Sequence, residues 1–251
     1  MKLYEVTFSP TGGTRRAADL LAAAWPQPPV QVDLTDRTAD LSAVAFTAED
    51  VVLIAVPSYG GRVPALAARR LAALHGAGAR AVLVCVYGNR AYEDTLVELE
   101  DLARAAGFVP AGAVAAVAQH SIAAQYAAGR PDGADAALLA QFGETLCRRI
   151  QTGGAMPALP GRRPYKKAGV SGPVPMPGAG CTACGLCAAQ CPAGAISAKD
   201  PSAVDKTLCI SCMRCTTVCP SKVRRVNAAA LAAVGLALKP VCSARKEPVL
   251  F

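Results

Sequence analysis

Cys181-Thr182-Ala183-Cys184-Gly185-Leu186-Cys187-Ala188-Ala189-Gln190-Cys191-Pro192 is repeated in outline 28 residues later (209 minus 181) as Cys209-Ile210-Ser211-Cys212-Met213-Arg214-Cys215-Thr216-Thr217-Val218-Cys219-Pro220. Both runs read Cys-x2-Cys-x2-Cys-x3-Cys-Pro. Thiolates at i, i+3 and i+6 curl around one iron–sulfur cubane but leave its fourth corner out of reach. In the paired arrangement each fourth Cys crosses over and ligates the other cluster. The expected ligand sets are therefore Cys181, Cys184, Cys187 and Cys219 for one [4Fe–4S] cluster, and Cys209, Cys212, Cys215 and Cys191 for the other. Zinc ribbons use two separated Cys-x2-Cys pairs and four ligands per site, a poorer match. A disulfide framework belongs to secreted chains, and the opening Met1-Lys2-Leu3-Tyr4-Glu5 does not read as a secretory signal. Oxygen-sensitive clusters without an export signal point to a reducing cytoplasm.

The cysteines divide the chain. Only two of the eleven, Cys85 and Cys147, precede residue 181, and both sit on apolar faces as small core residues. Residues 1–150 carry 13 Lys+Arg and 15 Asp+Glu, a net of −2, whereas residues 151–251 carry 13 and 3, a net of +10. Two oxidised clusters, at about −2 each, would reduce the second figure. The basic residues Lys199, Lys206, Arg214, Lys222, Arg224 and Arg225 have two readings: they balance cluster charge, or they form a docking face for an acidic redox partner. Nucleic acid is a poor fit, because no aromatic residues interleave with the basic ones. The longest apolar run, Ala228–Leu238, is 11 residues, short of a membrane span.

The first 151 residues alternate β-branched runs with amphipathic stretches, the pattern of a parallel α/β sheet. Strands are expected at Leu3–Phe8, Val30–Leu34, Val51–Pro57, Ala81–Tyr87 and Ala113–Gln119. Helices are expected at Thr14–Trp25, Pro64–Leu74, Tyr92–Ala106 and Ala134–Ile150. The third and fourth strands are almost wholly apolar, as strands covered on both faces must be. Right-handed crossovers favour the strand order 2-1-3-4-5, which puts ligands at the carboxyl ends of the strands. Three loops fall there. Ser9-Pro10-Thr11-Gly12-Gly13-Thr14 offers hydroxyls, glycine backbone and a helix N-terminus to one phosphate. It is neither a Walker A loop nor a Gly-x-Gly-x-x-Gly turn. An ordinary strand-to-helix turn with Thr14 as cap is the alternative. Pro57-Ser58-Tyr59-Gly60-Gly61-Arg62 and Tyr87-Gly88-Asn89-Arg90-Ala91-Tyr92 each set tyrosine beside glycine, so that an aromatic ring and bare backbone can approach a flat ligand.

These three loops, with the paired cysteine runs and the closing Cys242-x2-Arg245-Lys246-Glu247, resemble the ferredoxin–flavodoxin fusion family of anaerobes. The resemblance runs over nearly the whole chain. It implies a flavodoxin-like five-stranded parallel sheet (order 2-1-3-4-5) that binds FMN, followed by a small α+β bacterial ferredoxin-like domain with two [4Fe–4S] clusters. It also implies phosphate contacts from Ser9, Thr11, Gly12, Gly13 and Thr14, and ring contacts from Ser58, Tyr59, Gly60, Gly61, Gly88, Asn89 and Tyr92. Pro10 stands where a flavodoxin usually has glycine, and the front domain is less acidic than free flavodoxins.

The expected organisation is a flavodoxin-like domain at 1–151, a Pro/Gly-rich linker at 152–178, a ferredoxin domain at 179–226 and a helix with a tail at 227–251. The linker either packs along both domains or acts as a hinge. Cys242 reads as structural or free, His75 and His120 as structural, and Trp25 as packing. The leading functional expectation is an electron carrier that links pair chemistry at FMN to single-electron steps at the clusters and passes electrons to an external partner. Two alternatives stay open: an FMN-dependent reductase of a small organic acceptor, and a ferredoxin with a flavin-free docking domain.

Overall fold

The computed structural model describes residues 1–169 and 172–251; Val170 and Ser171, inside the expected linker, lie outside the described residues. The front half runs β1 (Leu3–Thr7), α1 (Gly13–Ala22), β2 (Val30–Asp33), β3 (Val51–Pro57), α2 (Ala65–Leu71), β4 (Arg80–Tyr87), α3 (Thr95–Ala105), β5 (Val109–Val117) and α4 (Gly133–Thr152). The first five strands are parallel in the order β2-β1-β3-β4-β5. Because side chains alternate across a strand, β3 sends Val52, Ile54 and Val56 to one face and Val51, Leu53 and Ala55 to the other. Helices α2 and α3 cover the first face; α1 and α4 cover the second. Each large apolar side chain taken out of water contributes about 1.5–3 kcal/mol, so two covered faces dominate the stability of this half. Helices α1 and α4 meet closely at Gly143, where a Cβ would stand 2.4 Å from the Leu21 carbonyl.

Helices α1 and α2 each end three residues before the expected Trp25 and Leu74, and two further boundaries differ for local reasons. Strand β5 begins at Val109, four residues before the expected Ala113, because Pro110 and Gly112 are accommodated at a register shift opposite Ala81 and Val82. Proline is tolerated there because no second neighbour pairs with that end of β5. Helix α3 begins at Thr95, not Tyr92. Residues before it are coiled, with Glu93 at φ 42 and the Asp94 carboxylate accepting the Arg162 and Lys166 amides at 2.9 and 2.8 Å.

The second half contains β6 (Met176–Pro177), α5 (Leu186–Ala189), α6 (Arg214–Thr217), β7 (Arg224–Arg225), α7 (Ala228–Cys242) and β8 (Val249–Leu250). β6 and β7 pair antiparallel and close the cysteine segment. The sheet is not five-stranded, however: β8 adds antiparallel to β5, and Phe251 exchanges backbone hydrogen bonds with Ala113 at 2.8 and 3.1 Å. Residues at the end of the expected tail thus complete the front sheet and cover its exposed edge. Helix α7, capped by Asn227, buries only Gly235 and Cys242 and so covers little apolar surface. No described helix is long and apolar enough to cross a membrane.

Residues 161–165 of the linker lie against α3. Arg163 pairs with Asp101 and Glu100, Tyr165 bonds Asp101, and the Arg62 guanidinium stacks 4.8 Å from the centre of the Tyr165 ring. The cysteine segment is seated on the carboxyl end of the sheet. Arg70 donates to the Leu34 carbonyl at 2.6 Å and the Pro192 carbonyl at 2.8 Å, and Arg214 donates to the Pro10 carbonyl at 3.2 Å. Ala193 and Ile210 pack against the front core.

Glu5 is a fully buried carboxyl in β1. It accepts from Gln31 at 3.0 Å and stands 3.9 Å from Arg15, yet its Oε1 has no partner. Burial, partly offset by Gln31, pushes its pKa up to about 7. The folded chain therefore holds a proton that the unfolded chain releases near 4.5, so this stabilisation is full below 4.5 and is lost as pH rises through about 7. Wild-type stability should fall by about 1 kcal/mol between pH 6 and 8 from this group, and Glu5→Gln should abolish that slope. Urea midpoints of both proteins at the two pH values measure it, and equal slopes would refute the assignment.

Candidate functional site

The strand order reverses at β1 and β3, and the loops leaving β1, β3 and β4 converge around a cavity of about 600 Å³. From the first loop, Pro10, Thr11, Gly13 and Thr14 line it. Ser9 is buried behind the loop, where its amide donates to Thr35 Oγ1 at 2.6 Å and its Oγ accepts the Arg15 amide at 2.9 Å. Gly12, at φ 92, makes the turn into α1 and offers no capping side chain, so among the first-turn amides of the helix only that of Arg15 meets a side chain, Ser9 Oγ. That end of α1 keeps unpaired N–H groups and the positive end of the helix dipole beside the cavity, as an anion site requires.

From the second loop, Ser58, Tyr59, Gly60 and Arg62 line the cavity. Tyr59 and Arg62 exchange backbone hydrogen bonds across Gly60 and Gly61, both at positive φ, a two-residue turn that needs glycine. Gly61 itself faces Glu93, not the cavity; a Cβ there would overlap the Glu93 carboxylate. Arg62 is held by Glu98 through two bonds of 2.7 and 2.8 Å. From the third loop, Tyr87 and Gly88 line the cavity, while Tyr92 packs behind them, its ring 5.2 Å from that of Tyr87.

Asn89 serves a different contact. It is buried in the left-handed conformation (φ 64), which Asn tolerates better than most side chains. Its amide donates to the Cys242 and Ala244 carbonyls at 2.7 and 2.8 Å and accepts the Lys246 amide at 3.2 Å. Asn89 therefore ties the tail to the cavity rim. Cys242, packed against Gly88, is part of the same clamp.

His120, which follows the fifth strand and so falls near the rim, does line the cavity; several other lining residues escaped the sequence reading. His120 sits against Gly88, with no room for a Cβ there, and its Nδ1 accepts the Ile122 and Ala123 amides at 3.2 and 3.1 Å. That pairing puts the proton on Nε2, and burial together with Arg90 lowers the pKa of the ring. Gln119, Ser121 and Ile122 line the cavity beside it, and Ala168, Gly169 and Gly172 come from the linker. Ile210 and Ser211 come from inside the second cysteine run. Position after a strand end is a usable signal for His120; nothing local marks Ile210 or Ser211, which reach the cavity only by domain contact.

The eight repeat cysteines fall into two quartets. Cys181, Cys184, Cys187 and Cys219 line one small cavity, and Cys191, Cys209, Cys212 and Cys215 line another. Among the described residues no three His, Cys, Asp or Glu side chains converge as a single ion demands. Cys181 and Cys184 are exposed, whereas Cys191, Cys212 and Cys215 are buried. Burial pushes the Cys212 thiol up to about 12 and raises Cys215, with Arg224 offsetting part of the latter shift. Backbone N–H groups of residues 221–224 hold Cys219 below the ordinary thiol range.

The donor set fits an anionic cluster. Five buried side-chain polar atoms lack a partner among the described residues, and four of them, Ser211 Oγ, Arg214 Nε, Arg224 Nε and Arg224 Nη2, belong to residues lining the Cys209-side cavity. Buried donors are rarely left unpaired, so their concentration there marks the place of an acceptor the protein does not itself supply. Tyr59, on the wall of the large cavity, lies close enough to Cys212 that the thiolate, added to burial, drives its phenol pKa well above 10.

Residues 180–224 match the family described as a 4Fe-4S dicluster domain. Among solved structures the chain is similar to a flavodoxin from Streptococcus pneumonia (20% identity, covering 59% of this chain and 97% of that one, TM-score 0.42). It is also similar to oxidised Flavodoxin 1 from Bacillus cereus (15%, 59% and 98%, TM-score 0.42) and to a flavodiiron core from Synechocystis sp. PCC6803 (14%, 61% and 36%, TM-score 0.44). A comparison with curated proteins gives no match. The fold assignment rests on the parallel β2-β1-β3-β4-β5 order itself. The chain joins a flavodoxin-like domain to a 4Fe–4S dicluster segment. The match to a 4Fe-4S domain supports an electron-transfer role.

Replacing Asn89 by Ala removes three hydrogen bonds and puts Ala at positive φ, so it should destabilise the chain by about 3 kcal/mol. Trypsin should then cut after Arg245 or Lys246. An unchanged denaturant midpoint with a protected tail would count against the clamp.

Proposed function

We propose that the chain relays electrons between one FMN, held in the large cavity, and two [4Fe–4S] clusters that serve an external redox partner. The observation that carries this reading is the shared wall: Ile210 and Ser211 line both the large cavity and the cavity of Cys191, Cys209, Cys212 and Cys215. When bound, FMN supplies electrons as a pair or singly, and each cubane passes one. The roles of the residues follow from their positions. Thr11, Gly13, Thr14 and the N-terminal turn of α1 bind the phosphate. Tyr59 and Tyr87 flank the ring, and Gly60 and Gly88 let backbone come near it. Ser9, Gly12, Gly61, Asn89 and Tyr92 shape these loops from behind. Cys181, Cys184, Cys187 and Cys219 hold the outer cluster; Cys209, Cys212, Cys215 and Cys191 hold the one nearer the flavin.

The outer cluster has exposed cysteines and is flanked by the exposed Lys222 and Arg225. An acidic partner is the surface this end would attract, at a rate that falls with ionic strength. Free thiolates and cubanes suit a reducing compartment, the cytoplasm in this reading.

Anaerobically purified and reconstituted protein should contain about eight iron, about eight sulfide and one FMN per chain. About four iron would remove one cluster from the proposal. Eight iron without flavin, even after FMN is added, would reduce the front domain to a docking module. Crossed ligation is tested separately: Cys219→Ala and Cys184→Ala should lose the same EPR signal, and Cys212→Ala the other. Loss of the Cys212 signal in Cys219→Ala would mean that each run serves its own cluster.

A further inference from the structure

Arg224 is 3% exposed, and no carboxylate pairs with it among the described residues. It lies in β7, opposite Pro177, and lines both cysteine cavities. Its Nη1 donates to the Pro201 carbonyl at 2.8 Å and lies 3.6 Å from Cys187 Sγ, in the first quartet. The same guanidinium shares the wall of the second cavity with Cys215, where its charge partly offsets the effect of burial on that thiol. Its Nε and Nη2 have no partner among the described residues. A guanidinium cannot shed its charge, and burying one without a counter-charge costs several kcal/mol. The only anions that the neighbouring cavities are built to take are the clusters, each about −2 when oxidised.

We propose that Arg224 is the shared counter-ion of the two clusters, donating charge-assisted N–H···S bonds toward both and raising both reduction potentials. This rests on the two-cluster reading above. Arginine suits the position because its planar fork offers five donors in fixed directions, so one side chain can serve two acceptors at once. A lysine ammonium carries the charge but is a single point. Arg225, the next residue, supplies the control: it is exposed, and its Nε donates to the Lys222 carbonyl, away from both cavities.

The test is an EPR-monitored redox titration of the full chain, loaded with clusters, as wild type, Arg224→Gln, Arg224→Lys and Arg225→Gln. Both midpoint potentials should fall in Arg224→Gln and fall less in Arg224→Lys, while Arg225→Gln leaves both unchanged. If Arg224→Gln does not retain iron, the Lys variant carries the measurement, with the same requirement that both potentials drop. The inference is overturned if only one cluster responds, if neither responds in Arg224→Lys, or if Arg225→Gln shifts them equally. A wild-type chain that takes up no clusters defeats the underlying reading instead, a result distinct from loaded clusters with unmoved potentials.

Discussion

The seating of the cysteine segment on the carboxyl end of the parallel sheet is the contact on which the other arrangements depend. Arg70 donates to the Pro192 carbonyl and Arg214 to the Pro10 carbonyl, so the segment is held by backbone acceptors, not by exposed ion pairs. Such bonds are weakly screened by salt and do not rely on a carboxylate keeping its charge. This seat brings Ile210 and Ser211 to the wall of the large cavity and puts Cys212 beside Tyr59. Were the segment to swing on its linker, the shared wall would not exist.

The charge distribution follows from the same contact. The basic surplus of the second half, which as sequence has two readings, separates in space. Arg214 and Arg224 turn inward to the cysteine cavities, with unpaired N–H groups that need an acceptor. Lys222 and Arg225 remain outside, near the exposed Cys181 and Cys184. The basic side chains of this half thus divide between a buried set that faces the cysteines and an exposed set.

The C-terminus adds a second constraint. Asn89 fastens residues 242–246 to the loop that bears Gly88, Arg130 donates to the Lys246 carbonyl at 2.6 Å, and β8 then covers the edge of β5. The cavity rim and the free sheet edge are both secured by residues far away in sequence. A local reading gives Asn89 to a flat ligand, because an Asn beside Gly in a loop after a strand carries no mark of a partner more than 150 residues on.

Local chemistry in the sequence determined the strand order, the three converging loops and the two cysteine quartets. Apolar runs report burial on both faces, glycine reports close approach, and Cys spacing reports reach. The tertiary structure alone decided which basic residues face the cysteines, that Asn89 holds the tail, that β8 joins the sheet, and that Ile210 and Ser211 border the large cavity. These are contacts between segments far apart in the chain, set by how two domains pack, and no periodicity or spacing within either segment encodes them.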